Sequence, residues 1–367
     1  MRLFSKIIGV IVIILAVAVL SLGLVLSHDT ACASAPALSA NATSMKAIVY
    51  RCYGSPAVLQ FEDIEKPVAA DDEVLVKIHA AGVNPLDWHY MRGSPYLMRL
   101  QVGLGAPESI RMGVDFAGTV EAVGKNVTRF KPGDEVFGGR DGAFAQYVTI
   151  REDRAIVPKP TAVTFEQAAA APIAAITALQ ALRDKGHLKA GQKVLINGAS
   201  GGVGTFAVQI AKSFGADVTG VCSARNAAMV MSIGADRVID YKRENFTESE
   251  ERYDLIIDNI GNHALLDYRK VMKPDGILVM VGGPKGDWIG PLLAPIKALL
   301  LSPFVSQDFV MIMASLTQED LTVLGDLMAS GEMTSVIDRR YPLSEVPAAI
   351  RYSEAGHASG KIIIAVE

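Results

Sequence analysis

The chain is short of charge. Only 20% of its 367 residues are Asp, Glu, Lys or Arg, against roughly 25% in a typical soluble domain. Its mean hydropathy is +0.29. It is also short of cysteine, with Cys32, Cys52 and Cys222 alone. Three cysteines exclude a disulfide-dense scaffold and a four-cysteine zinc site. There is no basic surplus: 35 bases meet 39 acids, a net charge of −4, which argues against a nucleic acid partner. Gly and Pro, at 33 and 17, are ordinary, so collagen-like and low-complexity chains drop out. No internal repeat is present. The length suggests about two domains and a sizeable core.

What is present is unevenly spread. Arg2 and Lys6 precede Ile7–Leu26, a run of 20 residues without a charge. At about 1.5 Å per residue, such a helix spans the ~30 Å hydrocarbon core. It reads either as a cleaved secretory signal or as an uncleaved anchor. Ala31-Cys32-Ala33 has the small-x-small form of a cleavage site. The length favours the anchor, because signal segments usually run about 7–15 apolar residues. Asp29, where lipidation needs an apolar residue, speaks against a lipoprotein. Two bases before the run keep the N-terminus in the cytoplasm and export the rest. The expectation is a single-pass membrane protein, with export after cleavage as the alternative. Residues 28–44, rich in Ala, Ser, Thr and Asn, read as a flexible tether.

Beyond the tether, Met45–Tyr50, Glu73–His79, Gly118–Val123 and Ala143–Ile150 are short strand-like runs separated by turn signals. Thr164–Leu182 reads as one Ala-rich helix opened by a capping box of Thr164 and Gln167. From Lys193 onward strands and helices alternate, the mark of a doubly wound parallel sheet. The strands are Lys193–Asn197, Asp217–Cys222, Arg237–Asp240, Asp254–Asp258 and Ile277–Val281. Helices are expected at Thr205–Phe214, Asn226–Ile233 and His263–Met272, then at Glu319–Ala329 and Glu345–Ser353 before a last strand, Lys361–Val366. Trp288–Leu316 is apolar but broken by prolines.

Ala199-Ser200-Gly201-Gly202-Val203-Gly204 sits between a predicted strand and a predicted helix. Gly201 and Gly204 have the spacing of the second and third glycines of the dinucleotide fingerprint. Backbone without Cβ admits a pyrophosphate, and the helix N-terminus attracts it. NAD enzymes place an acid about 20 residues further on. Here Ser223 stands 19 residues after Gly204, followed by Arg225 and Asn226, and no carboxylate lies between Val218 and Met231. Serine and arginine suit a 2′-phosphate, so the expected cofactor is NADPH. Asn259 and Gly261, and Gly282 and Gly283, follow strands at the ends where such sheets bind ligands.

The residues then identify a family. Ala80-Ala81-Gly82-Val83-Asn84-Pro85, Gly113-Val114-Asp115-Phe116-Ala117-Gly118, Lys131-Pro132-Gly133-Asp134, Gly198–Gly204 and the ending Gly360-Lys361-Ile362 resemble the medium-chain dehydrogenase/reductase superfamily in its zinc-free quinone oxidoreductase branch. The resemblance implies an α/β fold, with a GroES-like β-barrel domain and a doubly wound Rossmann domain behind the hydrophobic helix. The expected organisation is anchor or signal 1–27, tether 28–44, GroES-like substrate domain 45–168, Rossmann domain 169–310, and a return to the first domain over 311–367. Zinc members carry a cysteine where Asn84 stands and a Gly-His-Glu where Gly113-Val114-Asp115 stands. Valine cannot ligate a metal and asparagine is a poor substitute for thiolate, so no metal is expected.

Without zinc, hydrogen-bond donors must polarise the acceptor. A quinone, or a double bond conjugated to a carbonyl, needs modest help, because charge develops on an enolate-like oxygen. Asn84 matches an asparagine near the nicotinamide in zinc-free relatives. His89 falls where some relatives have a tyrosine, and it is a proton donor near neutral pH. Tyr90 and Tyr96 complete the candidate catalytic set. Thr177 matches a threonine near the cofactor phosphates, and Tyr241 a tyrosine near the 2′-phosphate. A lysine common in relatives a few residues after Ser223 is missing here, where Ala227, Ala228 and Met229 stand. The resemblance allows a homodimer. The function expected is hydride transfer from NADPH to a small lipophilic quinone or enone. Reduction of other carbonyls, or a non-catalytic NADPH-binding sensor at a membrane, are the alternatives.

Overall fold

The computed structural model describes residues 2–39, 42–284, 286–288, 290 and 293–366. The expected N-terminal helix forms as α1 (Arg2–Ser27). Its apolar side chains from Ile13 to Val25 are largely exposed. Among the described residues no helix is long and apolar enough to cross a membrane. In α1 the side chains described are those of Phe4, Ile7 and residues 13–27.

Strands β1 (Ser44–Val49) and β2 (Gln60–Glu65) pair antiparallel. Next come β3 (Glu73–Val83), α2 (Pro85–Arg92), α3 (Arg99–Val102), β4 (Asp115–Val123), β5 (Glu135–Gly139), β6 (Tyr147–Arg151) and β7 (Ile156–Pro158). Strand β3 is the hub. It pairs with β4 along its length, with β6 over Glu73–Lys77, and with the last strand of the chain over Ala80–Val83. Its buried Val74, Val76 and Ile78 join Phe116, Phe144 and Val148 in one apolar core.

The Ala-rich stretch differs from expectation. It breaks into α4 (Phe165–Ala169) and α5 (Pro172–Gln180). Proline has no N–H to give to a continuing helix, but it is favoured in a first turn. Pro172 therefore ends one helix and starts another. The predicted capping box at Thr164 and Gln167 forms.

The second sheet is built from β8 (Lys193–Asn197), α6 (Gly202–Ser213), β9 (Asp217–Cys222), α7 (Ala224–Ser232), β10 (Arg237–Asp240), β11 (Tyr253–Asp258), α8 (Leu265–Lys270), β12 (Met272–Met280), α9 (Leu293–Leu301) and β13 (Asp308–Met311). Its order is β10-β9-β8-β11-β12-β13, and every pair is parallel. In sequence order this is 3-2-1-4-5-6, the doubly wound arrangement whose direction reverses between the first and fourth strands. Two boundaries moved: β12 begins at Met272, which periodicity assigned to a helix, and the proline-broken stretch contains β13.

The chain ends with α10 (Gln318–Ala329), β14 (Ile337–Pro342), α11 (Val346–Glu354) and β15 (Lys361–Ala365). Strand β15 pairs antiparallel with β3 and parallel with β14, so the C-terminus returns to the first sheet.

Candidate active site

The crevice at the reversal lies beyond the C-terminal ends of β8 and β11, where such sheets bind ligands. After β8, Gly198 turns at φ +78, and a Cβ at Gly204 would lie 2.1 Å from the Gly198 carbonyl oxygen. Helix α6 can approach its strand this closely only with glycine there. At Gly201 a Cβ would meet nothing nearer than 3.5 Å, so the loop leaves an open cradle. No side chain caps α6, and its first N–H groups are available to an anion. Ala199 is buried, while Ser200, Gly202 and Val203 are half-buried along the cradle.

After β11, the buried Asp258 Oδ1 accepts from Ile260 N and Gly261 N, at 3.1 and 3.0 Å, and from Asn197 Nδ2 at 2.9 Å. This fixes the turn that carries Asn259. Asn259 Nδ2 donates to the Asn197 carbonyl at 2.9 Å, and its buried Oδ1 has no partner. A buried acceptor left open costs free energy unless a ligand fills it. Gly282 and Gly283 follow β12 beside this turn, and a Cβ at Gly282 would lie 2.1 Å from the Asn259 carbonyl oxygen. The open cradle and the orphaned acceptor fit a dinucleotide.

Ser223 follows β9, Arg225 and Asn226 open α7, and Tyr241 follows β10. The Asn226 side chain donates to Ser200 Oγ at 3.0 Å and accepts from Ser359 Oγ at 3.1 Å. It thus ties the glycine loop to the turn before β15. Arg225 donates to the His357 carbonyl at 3.1 Å, and Tyr241 is exposed. Thr177 Oγ1 donates to the Ile173 carbonyl within α5.

Facing the cradle is a buried polar cluster that sequence reasoning noticed only in part. Asn84 caps α2. Its backbone N–H donates to Asp87 Oδ2 at 2.7 Å, and its Nδ2 donates to Asp115 Oδ2 at 2.9 Å. Lys361 Nζ donates to Asn84 Oδ1 at 2.5 Å and to the Val83 carbonyl at 3.1 Å, and it lies 3.5 Å from Asp115 Oδ2. Asp115 Oδ1 accepts from Ile173 N at 3.0 Å. Burial opposes charge on each group: it pushes Asp87 up to about 7, raises Asp115 and lowers Lys361. The attraction of Lys361 for Asp115 works against the last two shifts. A Cβ at Gly202 would sit 3.2 Å from Lys361 Cδ, so the cluster adjoins the glycine loop.

The other candidates divide. His89 and Tyr90 share α2 with the Asn84 cap. A carbonyl only accepts, so the His89 Nδ1 that lies 2.6 Å from the Ser94 oxygen carries the proton of that bond. Burial raises the Tyr90 hydroxyl pKa. Tyr96 turns elsewhere: its ring packs edge-on against Trp288 at 4.8 Å and under the Arg99 guanidinium at 4.6 Å. It is a wall residue at the outer end of the site. Ser94 Oγ donates to Asp287 Oδ1 at 2.7 Å and Tyr96 N to the Asp287 carbonyl at 2.6 Å, joining this wall to the segment after Gly283.

Three features escaped sequence reasoning. Lys361 as a buried partner of Asn84 had one signal, a lone cation opening an all-isoleucine strand. Arg99 is 1% exposed and had none. The third is a disulfide, Cys32–Cys52, with Cα atoms 4.7 Å apart. Together with Arg99 it holds the segment that composition marked as flexible.

Residues 70–161 match the alcohol dehydrogenase GroES-like domain, and residues 233–364 match the family described as zinc-binding dehydrogenase. The human mitochondrial NAD(P)H oxidoreductase RTN4IP1 is 32% identical over 368 residues, covering 89% of this chain and 91% of that protein. The tomato (Solanum lycopersicum) 2-methylene-furan-3-one reductase is 32% identical, covering 88% of this chain and 79% of its own. The solved quinone oxidoreductase of Coxiella burnetii superposes with a TM-score of 0.78 at 30% identity, covering 89% of this chain and all of that one. The chain therefore belongs to the medium-chain dehydrogenase/reductase superfamily, in its quinone oxidoreductase branch. It is an oxidoreductase of the quinone reductase type that uses a nicotinamide cofactor.

Proposed function

We propose that the chain reduces a quinone or an α,β-unsaturated carbonyl with NADPH and without a metal ion. The observation that carries this is the meeting of the glycine cradle with the Asn84 cluster at Gly202 and Lys361. When bound, the nicotinamide supplies a hydride. Gly201, Gly202 and the N-terminus of α6 hold the diphosphate. Ser223, Arg225, Asn226 and Tyr241 take the 2′-phosphate, where no carboxylate repels it.

Lys361 and Asp115 fix the Asn84 amide from both ends. Its second N–H is directed to the substrate oxygen that gains negative charge as the acceptor carbon is reduced. His89, with Nδ1 committed to Ser94, delivers a proton through Nε2. The metal-free reading rests on residue chemistry, with Asn84 and Val114 standing where zinc members have ligands. Among the described residues no cluster of three or more His, Cys, Asp or Glu is placed to hold a metal. The enone reading gains support from the tomato relative, whose name specifies a double bond conjugated to a ketone.

The uncharged Ile7–Leu26 run and the exposed apolar side chains of α1 support membrane anchoring. The two bases before the run and the Cys32–Cys52 bond support an oxidising, exported side for the rest of the chain. The function is tested by cofactor oxidation over a panel of quinones and enones. Turnover with NADPH, weaker with NADH, is expected. Activity confined to simple alcohols, or cofactor binding with no turnover on any acceptor, contradicts it.

A further inference from the structure

Arg99 carries five N–H groups, and all five are engaged. Nε donates to the Gly93 carbonyl at 2.8 Å. One terminal nitrogen donates to the Leu26 and His28 carbonyls, at 2.9 and 3.2 Å. The other donates to the Arg92 carbonyl at 3.3 Å and pairs with Asp29 at 2.8 Å. The guanidinium lies between the rings of Tyr53 and Tyr96. It therefore caps the C-terminal end of α1 and binds it to the wall that carries Tyr96. Nearby, Thr30 N donates to the Gly105 carbonyl at 2.9 Å, and the Cys32–Cys52 bond closes the junction. The helix is fixed to the mouth of the site.

The height of that junction is informative. A Cβ at Gly23 would sit 3.5 Å from Trp288 Cη2, so the indole lies against α1 about one turn, roughly 6 Å, before its end at Ser27. Gly23 belongs to the uncharged run. If that run occupies hydrocarbon, Trp288 is at the boundary between lipid and water, the depth that tryptophan favours. Leu97, Leu100 and Leu104 flank Arg99 in the same segment. With Trp288 they are 47–57% exposed. Four large apolar side chains thus collar the base of an apolar helix and continue its exposed surface.

We propose that this collar seats on the surface of the bilayer that holds α1, so that the site opens toward the membrane and receives a quinone dissolved there. The inference rests on the quinone reductase and anchoring readings above. The occupant is lipid, because the collar is continuous with α1 and Arg99 locks the two together, leaving the collar no freedom to turn away once the helix is inserted.

The test uses the full chain reconstituted in phosphatidylcholine vesicles, with and without brominated acyl chains. Bromolipid is expected to quench tryptophan emission by a third or more, and Trp288→Phe to abolish most of that quenching. Equal emission in both vesicles, or quenching that survives Trp288→Phe, overturns the proposal. The doubly changed Leu100→Glu/Leu104→Glu chain keeps α1. It is expected to raise KM at least threefold for a long-chain quinone held in the vesicle, with KM for a short, water-soluble quinone unchanged. Equal effects on both quinones overturn the proposal, as does a dimer in detergent that these glutamates dissociate, which would make the collar a contact between copies. No turnover of the soluble quinone by the unaltered chain defeats the underlying activity instead, and the bromolipid result then still decides the collar.

Discussion

Two cations lie out of water in this molecule, and they are satisfied in opposite ways. Lys361 is a compact ammonium that meets one carboxylate, one amide oxygen and one carbonyl, all within the catalytic body. Arg99 is a planar fork that spreads its donors over four carbonyls and one carboxylate, and two of those carbonyls belong to the end of α1 and the residue after it. The first cation orients the Asn84 amide beside the glycine loop. The second fixes where the body sits on its leader. A lysine could not replace Arg99, because three donors on a point charge cannot reach five acceptors. Damage to Lys361 should reach chemistry and stability together, whereas damage to Arg99 should loosen the leader and spare cofactor binding.

The largest effect is expected at Lys361. Lys361→Met leaves Asp115 buried without its cation, and removing one member of such a pair costs about 3–5 kcal/mol. Urea unfolding measures it, and Asp115→Asn in the same background should restore part of the loss. A cost under about 1 kcal/mol would show that the cluster is not the dry, coupled site described.

Next is the disulfide, which closes a loop with a sequence separation of 20. Chain-entropy arguments give about 3 kcal/mol for a loop of that size. Cys52→Ser should lower stability by up to that amount, and non-reducing mass mapping should recover a Cys32–Cys52 peptide from the native chain. Free thiols at both positions would contradict both the bond and the exported side.

Arg99→Ala strands buried carbonyls at about 1–3 kcal/mol. Protease cleavage within 24–33 should rise while the Kd for NADPH stays put. A shifted Kd would merge the two cations into one system.

The smallest effect is a slope. Burial holds Asp87 at about 7, against roughly 4 in an unfolded chain. The native state binds that proton more tightly, so the stability it confers is present below pH ~4 and is lost as pH rises through ~7. Asp87→Asn stays neutral and keeps an acceptor for the Asn84 N–H. The variant's Tm should gain on the parent's between pH 4 and 7 and run parallel above. A constant gap across that range would remove the burial argument.

Much of the cofactor half was legible. Lys193–Asn197, Asp217–Cys222 and Arg237–Asp240 form strands with the bounds read from sequence, because buried parallel strands are short apolar runs between glycine turns. The edges were not. Strand β14 carries Asp338, Arg339 and Arg340, polar as edge strands are, and so it has no apolar signature. Strand β13 hides behind the prolines that precede it. Among site residues, Asn84 and its Asp87 cap followed from motif and spacing. The partners Lys361, Arg99 and Cys52 did not, since each acts on a residue more than 15 positions away and no local period records such a contact.

The central claim is a nicotinamide reductase that works on conjugated carbonyls without metal. Its most direct test is the steady-state rate of NADPH oxidation with a short-chain quinone, before and after exhaustive dialysis against a chelator. The account predicts the same rate in both. A rate that collapses on dialysis and returns with zinc would contradict it.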